Sequence, residues 1–214
     1  MVNFFITRRP RARLTDIGRG WLTAAVCAIA LGTAGAADTH PAERLVRSTI
    51  ERVTTLVRDE TIREDPARFQ GLVDETILPH FDFGRMSERA LGRNWHKFSP
   101  DERVRFSQEF KTLLVANYSS VLRENAEREI SFRALRNRKG GRVMVRTVVE
   151  GVGNGLPVDY SMYQTPEGWK VYDVAFDGVS LIINFRRGFA QEIKARGAEG
   201  LIAKLKERNA GRAR

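Results

Sequence analysis

Gly178-Val179-Ser180-Leu181-Ile182 follows a strand-like run and opens a helix-like one, the setting that holds a serine nucleophile on a sharp strand-to-helix turn. The last glycine of that motif is absent, its place taken by Ile182. His40, His80 and His96 all precede the serine, whereas the hydrolase fold that uses this motif supplies its histidine afterwards. Ser180 therefore reads as a helix N-cap, with an exported serine hydrolase acting on lipid or ester substrates kept as an alternative. His80 and Asp82 lie close together, yet no H-E-x-x-H spacing supplies paired metal ligands. Gly151-Val152-Gly153-Asn154-Gly155 lacks the G-x-G-x-x-G spacing and joins two strand-like runs, so it reads as a hairpin turn and not a phosphate loop. These failures lead to the expectation of a protein that is not an enzyme, with no catalytic residue, no metal and no cofactor.

The N-terminus explains where such a protein would work. Arg8, Arg9, Arg11, Arg13 and Arg19 precede an apolar stretch from Trp21 to Leu31, and Ala34-Gly35-Ala36-Ala37 supplies small residues for cleavage. That is the pattern of a secretory signal peptide. Residues 1–37 are expected to be removed, leaving residues 38–214 as a single domain, soluble in the periplasm and not stably inserted in a membrane. Cys27, the one cysteine, falls within the apolar stretch, so disulfides, zinc–thiolate sites and cysteine nucleophiles are excluded from the mature chain.

The full chain has 36 basic and 26 acidic residues. Residues 1–37 hold five arginines and Asp16, which leaves 31 basic against 25 acidic, a mild excess that reads as spread along the sequence. Arg133, Arg136 and Arg138 with Lys139 would suggest a nucleic-acid patch in a cytosolic protein. In an exported one they read as a solvated surface, with attraction to anionic headgroups as the functional alternative; no nucleic-acid partner is expected.

Residue spacing gives the elements. Val46, Ile50, Val53 and Val57 predict an amphipathic helix from Pro41 to about Thr61. A second starts at Asp65-Pro66, runs toward Ile77 and is stopped by Pro79. Ser99-Pro100-Asp101-Glu102 forms a capping box ahead of a stripe of Phe106, Phe110, Leu113, Asn117 and Val121, widened by Leu114 and Tyr118. The period then changes to two over Ile130–Leu135, Val143–Val148, Val158–Tyr163 and Trp169–Phe176, with short links that make hairpins. Leu181 to Phe189 and Leu201 to Leu205 predict C-terminal helices separated near Gly197–Gly200. The expected fold is α+β: N-terminal helices, an antiparallel four-stranded curled meander sheet and C-terminal helices.

The last strand is apolar on both sides by simple alternation, with Trp169 and Val171 on one face and Tyr172, Val174 and Phe176 on the other. Such a surplus fits either helices on both faces or a cavity for an apolar ligand. The same alternation puts Trp169 and Asp173 on one side, so Asp173 should lie at a strand end or be paired.

Several segments together resemble one family. Phe81-Asp82-Phe83, Ala90-Leu91-Gly92 with Trp95, the Phe106–Tyr118 stripe, and Gly168-Trp169-Lys170-Val171-Tyr172-Asp173-Val174 leading into Gly178-Val179-Ser180-Leu181 and Asn184-Phe185-Arg186 are similar to the toluene-tolerance (Ttg2D/MlaC) family, from about residue 42 to 207. The resemblance implies an NTF2-like α+β fold and a periplasmic phospholipid-binding component of the Mla intermembrane lipid-transport system, which maintains outer-membrane lipid asymmetry. It implies exchange of phospholipid with an inner-membrane ABC transporter complex and an outer-membrane lipoprotein–porin complex. The protein is expected to act as a monomer; a periplasmic adaptor that binds only proteins is the remaining alternative. Residues expected to line a lipid pocket are Leu114 and Tyr118 on the long helix, and Val145, Tyr160, Met162 and Val171 on the strands.

Overall fold

A computed structural model describes residues 39–211. The expected signal segment, residues 1–37, lies outside the described residues. Helix α1 (Pro41–Leu56) is capped by His40, whose Nδ1 accepts a hydrogen bond from the Ala42 N–H at 3.2 Å. It stops earlier than its apolar spacing suggests, because Asp59 accepts from the Thr61 N–H at 2.9 Å and starts a separate short helix, α2 (Glu60–Glu64). Asp65 caps α3 (Pro66–Thr76), and Pro79 sits in a single 3-10 turn, Leu78–His80. Helix α4 (Phe83–Leu91), capped by Asp82, and a 3-10 stretch, Gly92–Lys97, precede α5 (Pro100–Asn125). The capping box forms in full: the Glu102 N–H donates to Ser99 Oγ, and the Ser99 N–H donates to Glu102 Oε2 at 2.7 Å.

The sheet runs β1 (Ile130–Arg138), β2 (Arg142–Val149), β3 (Leu156–Thr165), β4 (Gly168–Phe176) and β5 (Val179–Ser180), in that order and antiparallel throughout. The meander therefore has five strands where four were expected. The fifth is two residues long, pairing Ser180 with Ala175 and Val179 with Phe176, too short for any alternation to reveal. Helix α6 (Leu181–Ala210) follows, broken at Gly197, whose φ of 71° and ψ of −169° leave the helical region.

A bulge changes which residues share a face. Ser161 pairs with Asp173 and Met162 with Val171, so Tyr172 is an extra residue on β4. Strict alternation would separate Val171 from Val174 and Phe176. The inserted residue instead brings Trp169, Val171, Val174 and Phe176 to the inner face, opposite Met162, Tyr160 and Val158 on β3. Asp173 turns outward, away from Trp169. The surplus of apolar surface on β4 is therefore concentrated on one side, and a second bulge on β1 between Arg133 and Arg136 adds to the curl.

Three apolar clusters result among the described residues. The smallest packs Val57 against Phe69, Leu72 and Val73 of α3, and two larger ones remain. One lies between α4, α5 and α6, where Phe106 stands 5.8, 5.6 and 5.4 Å from the rings of Phe98, Phe110 and Phe189. The other lies between the inner face of the sheet and α1, with Ala42 and Val46 set against Val143 and Val145.

Candidate functional site

Between α1, α3, the second half of α5 and the inner sheet face lies a cavity of about 250 Å³. A single water needs only ~10–15 Å³ by the same measure. Val46, Ile50 and Val53 of α1 form one wall, and Leu114, Tyr118, Val121 and Leu122 of α5 another. Exposure rises along α5, from 0% at Phe106, Phe110 and Leu113 to 45% at Val121 and 42% at Leu122. The mouth is thus at the C-terminal end of α5, and the buried end is closed by Phe81, Phe83, Met86 and Leu181.

No aspartate, glutamate, lysine or arginine lines this space among the described residues. The threonine, serine and asparagine side chains that line it are turned to backbone. Thr49 Oγ1 donates to the Leu45 carbonyl at 2.8 Å, Ser119 Oγ to the Val115 carbonyl at 2.8 Å, and Asn125 Nδ2 to the Val121 carbonyl at 2.8 Å. Thr54 Oγ1 reaches across to the Ala126 carbonyl at 3.3 Å. Satisfied in this way, these groups leave little hydrogen-bonding demand toward the cavity.

The titratable groups in the lining are also neutral near pH 7. Burial pushes the Tyr118 and Tyr160 phenols up, partly opposed at Tyr160 by a bond with Thr147. Burial, with the nearby Lys170 ammonium, pushes the His80 imidazole down. The enclosure suits hydrocarbon and disfavours an ionised group, which would lose its hydration without gaining a partner.

Of the six residues expected to line a pocket, the structure places Leu114, Tyr118, Tyr160, Met162 and Val171 on the cavity. Val145 is not among the lining. It is 1% exposed and packed beneath α1 with Ala42 and Val46, because the first half of that helix fills the space over β2. Val145 does face inward, as its pairing with Tyr160 requires, but helix cover decides which inward residues meet the void. The α1 stripe is the wall that pocket reasoning overlooked, although its spacing was visible in the sequence.

Ser180, the candidate nucleophile, is an N-cap: its Oγ accepts from the Ile183 N–H at 3.1 Å and donates to Asp173 at 2.7 Å. Asp173 also accepts from the Ile182 N–H and faces Arg89 at 3.9 Å. Burial pushes its carboxyl pKa up, and the Ser180, Ile182 and Arg89 contacts oppose that shift. His40 packs edge-on against Trp169, and His80 borders the cavity. Among the described residues none of the histidines hydrogen-bonds Ser180, and the Ser180–Asp173 pair holds the β4–α6 junction together.

The family model described as MlaC protein matches residues 47–207 of this chain. The chain belongs to the MlaC family. Among curated relatives, the intermembrane phospholipid transport system binding protein MlaC of Haemophilus influenzae is 21% identical over 151 residues, covering 68% of this chain and 71% of its own. The toluene tolerance protein ttg2D of Pseudomonas putida is 24% identical over 159 residues, covering 69% and 74%. A phospholipid-binding protein from Ralstonia solanacearum, solved in complex with a phospholipid, superposes with a TM-score of 0.74 at 30% identity, covering 82% of this chain and all of that one. The α+β architecture of this MlaC-family chain, its curled antiparallel sheet included, is that of the solved phospholipid-binding protein.

Proposed function

We propose that the protein is a periplasmic carrier that takes one phospholipid by its acyl chains and shuttles it between membranes. The observation that carries this reading is the apolar cavity with an exposed rim at Val121 and Leu122 and, among the described residues, no Asp, Glu, Lys or Arg in its lining. Support comes from the relatives, one named for intermembrane phospholipid transport and another solved with a phospholipid bound. The tails occupy the space between α1, α5 and the sheet, touching Tyr118, Tyr160, Met162 and Val171; the headgroup remains at the rim in water.

Each methylene removed from water contributes about 0.8 kcal/mol, so roughly thirty of them make unaided escape of a diacyl lipid negligible. A carrier replaces that burial, and direction is set by partners that bind its loaded and empty forms differently. In this reading an inner-membrane ABC transporter complex and an outer-membrane lipoprotein–porin complex are those partners. The carrier works as a monomer after loss of residues 1–37, without a cofactor and without catalysis.

Native mass spectrometry and lipid extraction of protein purified from periplasm test the reading. A phospholipid mass increment is the expected result. A homogeneous unliganded mass with no extractable lipid would overturn it.

A further inference from the structure

Strand register reveals an uneven distribution of charge. Between Ser131 and Val149 stand Arg133, Arg136, Arg138, Lys139, Arg142 and Arg146, with no acidic residue among them. These six account for the whole positive excess of residues 38–214; the other 25 basic residues are matched by 25 acidic ones. A surplus that reads as diffuse along the sequence is carried by one hairpin.

Register also places five of the six on one face. Arg133 pairs with Arg146, Arg136 with Met144 and Arg138 with Arg142, while the intervening Val143, Val145 and Thr147 point into the protein. The β1 bulge keeps Arg133 and Arg136 on the same, outer side. Like charges directly opposite each other weaken a sheet, and this hairpin keeps two arginine–arginine pairs. Arg146 has a carboxylate partner, Asp159 at 3.5 Å; among the described residues the other five have none within ion-pair distance.

Protection of a sheet edge accounts for charge on β1. It does not account for Arg142 and Arg146, which lie on β2, between β1 and β3. A protein-binding face would carry an apolar centre depleted of charge. The exposed large apolar residues Val104, Val121, Leu122, Val179 and Ile183 all lie on other elements. Long cations without a carboxylate partner or an apolar anchor suit a diffuse anionic plane, on which each acts once it comes within a Debye length of about 8 Å.

We propose that the outer face of the β1–β2 hairpin docks the protein electrostatically on an anionic lipid bilayer. Each cation close to such a surface strengthens binding about five-fold. This stands on the hairpin's charge and register and does not require the cargo reading.

Cosedimentation of the protein as purified from periplasm with vesicles of phosphatidylcholine, with and without phosphatidylglycerol, tests it. The wild type should prefer the anionic vesicles and lose that preference at high salt. The combined variant Arg136→Gln, Arg138→Gln, Arg142→Gln should bind them about a hundred-fold more weakly, while melting no lower than wild type. If that variant fails to fold, Lys139→Glu at the exposed turn must still weaken binding by more than five-fold. A wild type indifferent to vesicle charge would overturn the proposal and leave an acidic protein face as the hairpin's partner. Variants that bind anionic vesicles as wild type does would overturn it too.

Discussion

The two larger apolar clusters among the described residues end differently, one filled and the other hollow. Between α4, α5 and α6, phenylalanine rings meet face and edge at 5.3 to 5.8 Å, so the space is filled. Between α1, α5 and the sheet, the lining mixes valines with leucine, isoleucine, methionine and tyrosine, and the middle stays open. One helix joins both: the first half of α5 gives Phe106, Phe110 and Leu113 to the filled body, and the second half gives Tyr118, Val121 and Leu122 to the hollow one. Packing density, and not hydrophobicity alone, separates the part that stabilises the fold from the part that can accept a guest.

Substitutions should expose this difference. Phe106→Ala, in the filled body and 0% exposed, should cost about 3–5 kcal/mol, read as a large loss in thermal or denaturant midpoint. Removing a ring there leaves a void that neighbouring rings cannot collapse to fill. Ser180→Ala, at the β4–α6 junction, should cost about 1 kcal/mol through loss of the N-cap and of a donor to the buried Asp173 carboxylate. The same variant should retain its lipid and show no change in esterase or phospholipase turnover relative to wild type; a serine-dependent activity would contradict the carrier reading.

Much of the fold was legible because local chemistry settles it. The Ser99–Glu102 capping box, the Asp65-Pro66 start and the Gly197 break all depend on residues adjacent in sequence. Helix α4 escaped although Phe83, Met86, Ala90 and Leu91 keep helical spacing, because nine residues show that spacing for only about two and a half turns. The Tyr172 bulge escaped because an extra residue in a strand alters the phase without altering composition. The cavity residues were legible as apolar candidates of suitable size, but alternation alone does not fix which strand face meets the cavity. Val145 and Tyr160 stand opposite each other in register, yet one is covered by α1 and the other borders the void. That distinction is tertiary, set by where a helix lies over the sheet.

The most direct test of the account places the same large side chain on each side of that distinction. Val145→Trp inserts a ring under α1, where the space is filled, and should cost about 1–3 kcal/mol of stability while leaving the lipid in place. Val171→Trp projects into the cavity and should fold with less loss than its counterpart, yet purify without lipid. Lipid occupancy of the two variants, measured side by side by native mass spectrometry, should therefore be high for Val145→Trp and near zero for Val171→Trp. Full occupancy in a folded Val171→Trp would show that the cavity is not where the lipid sits.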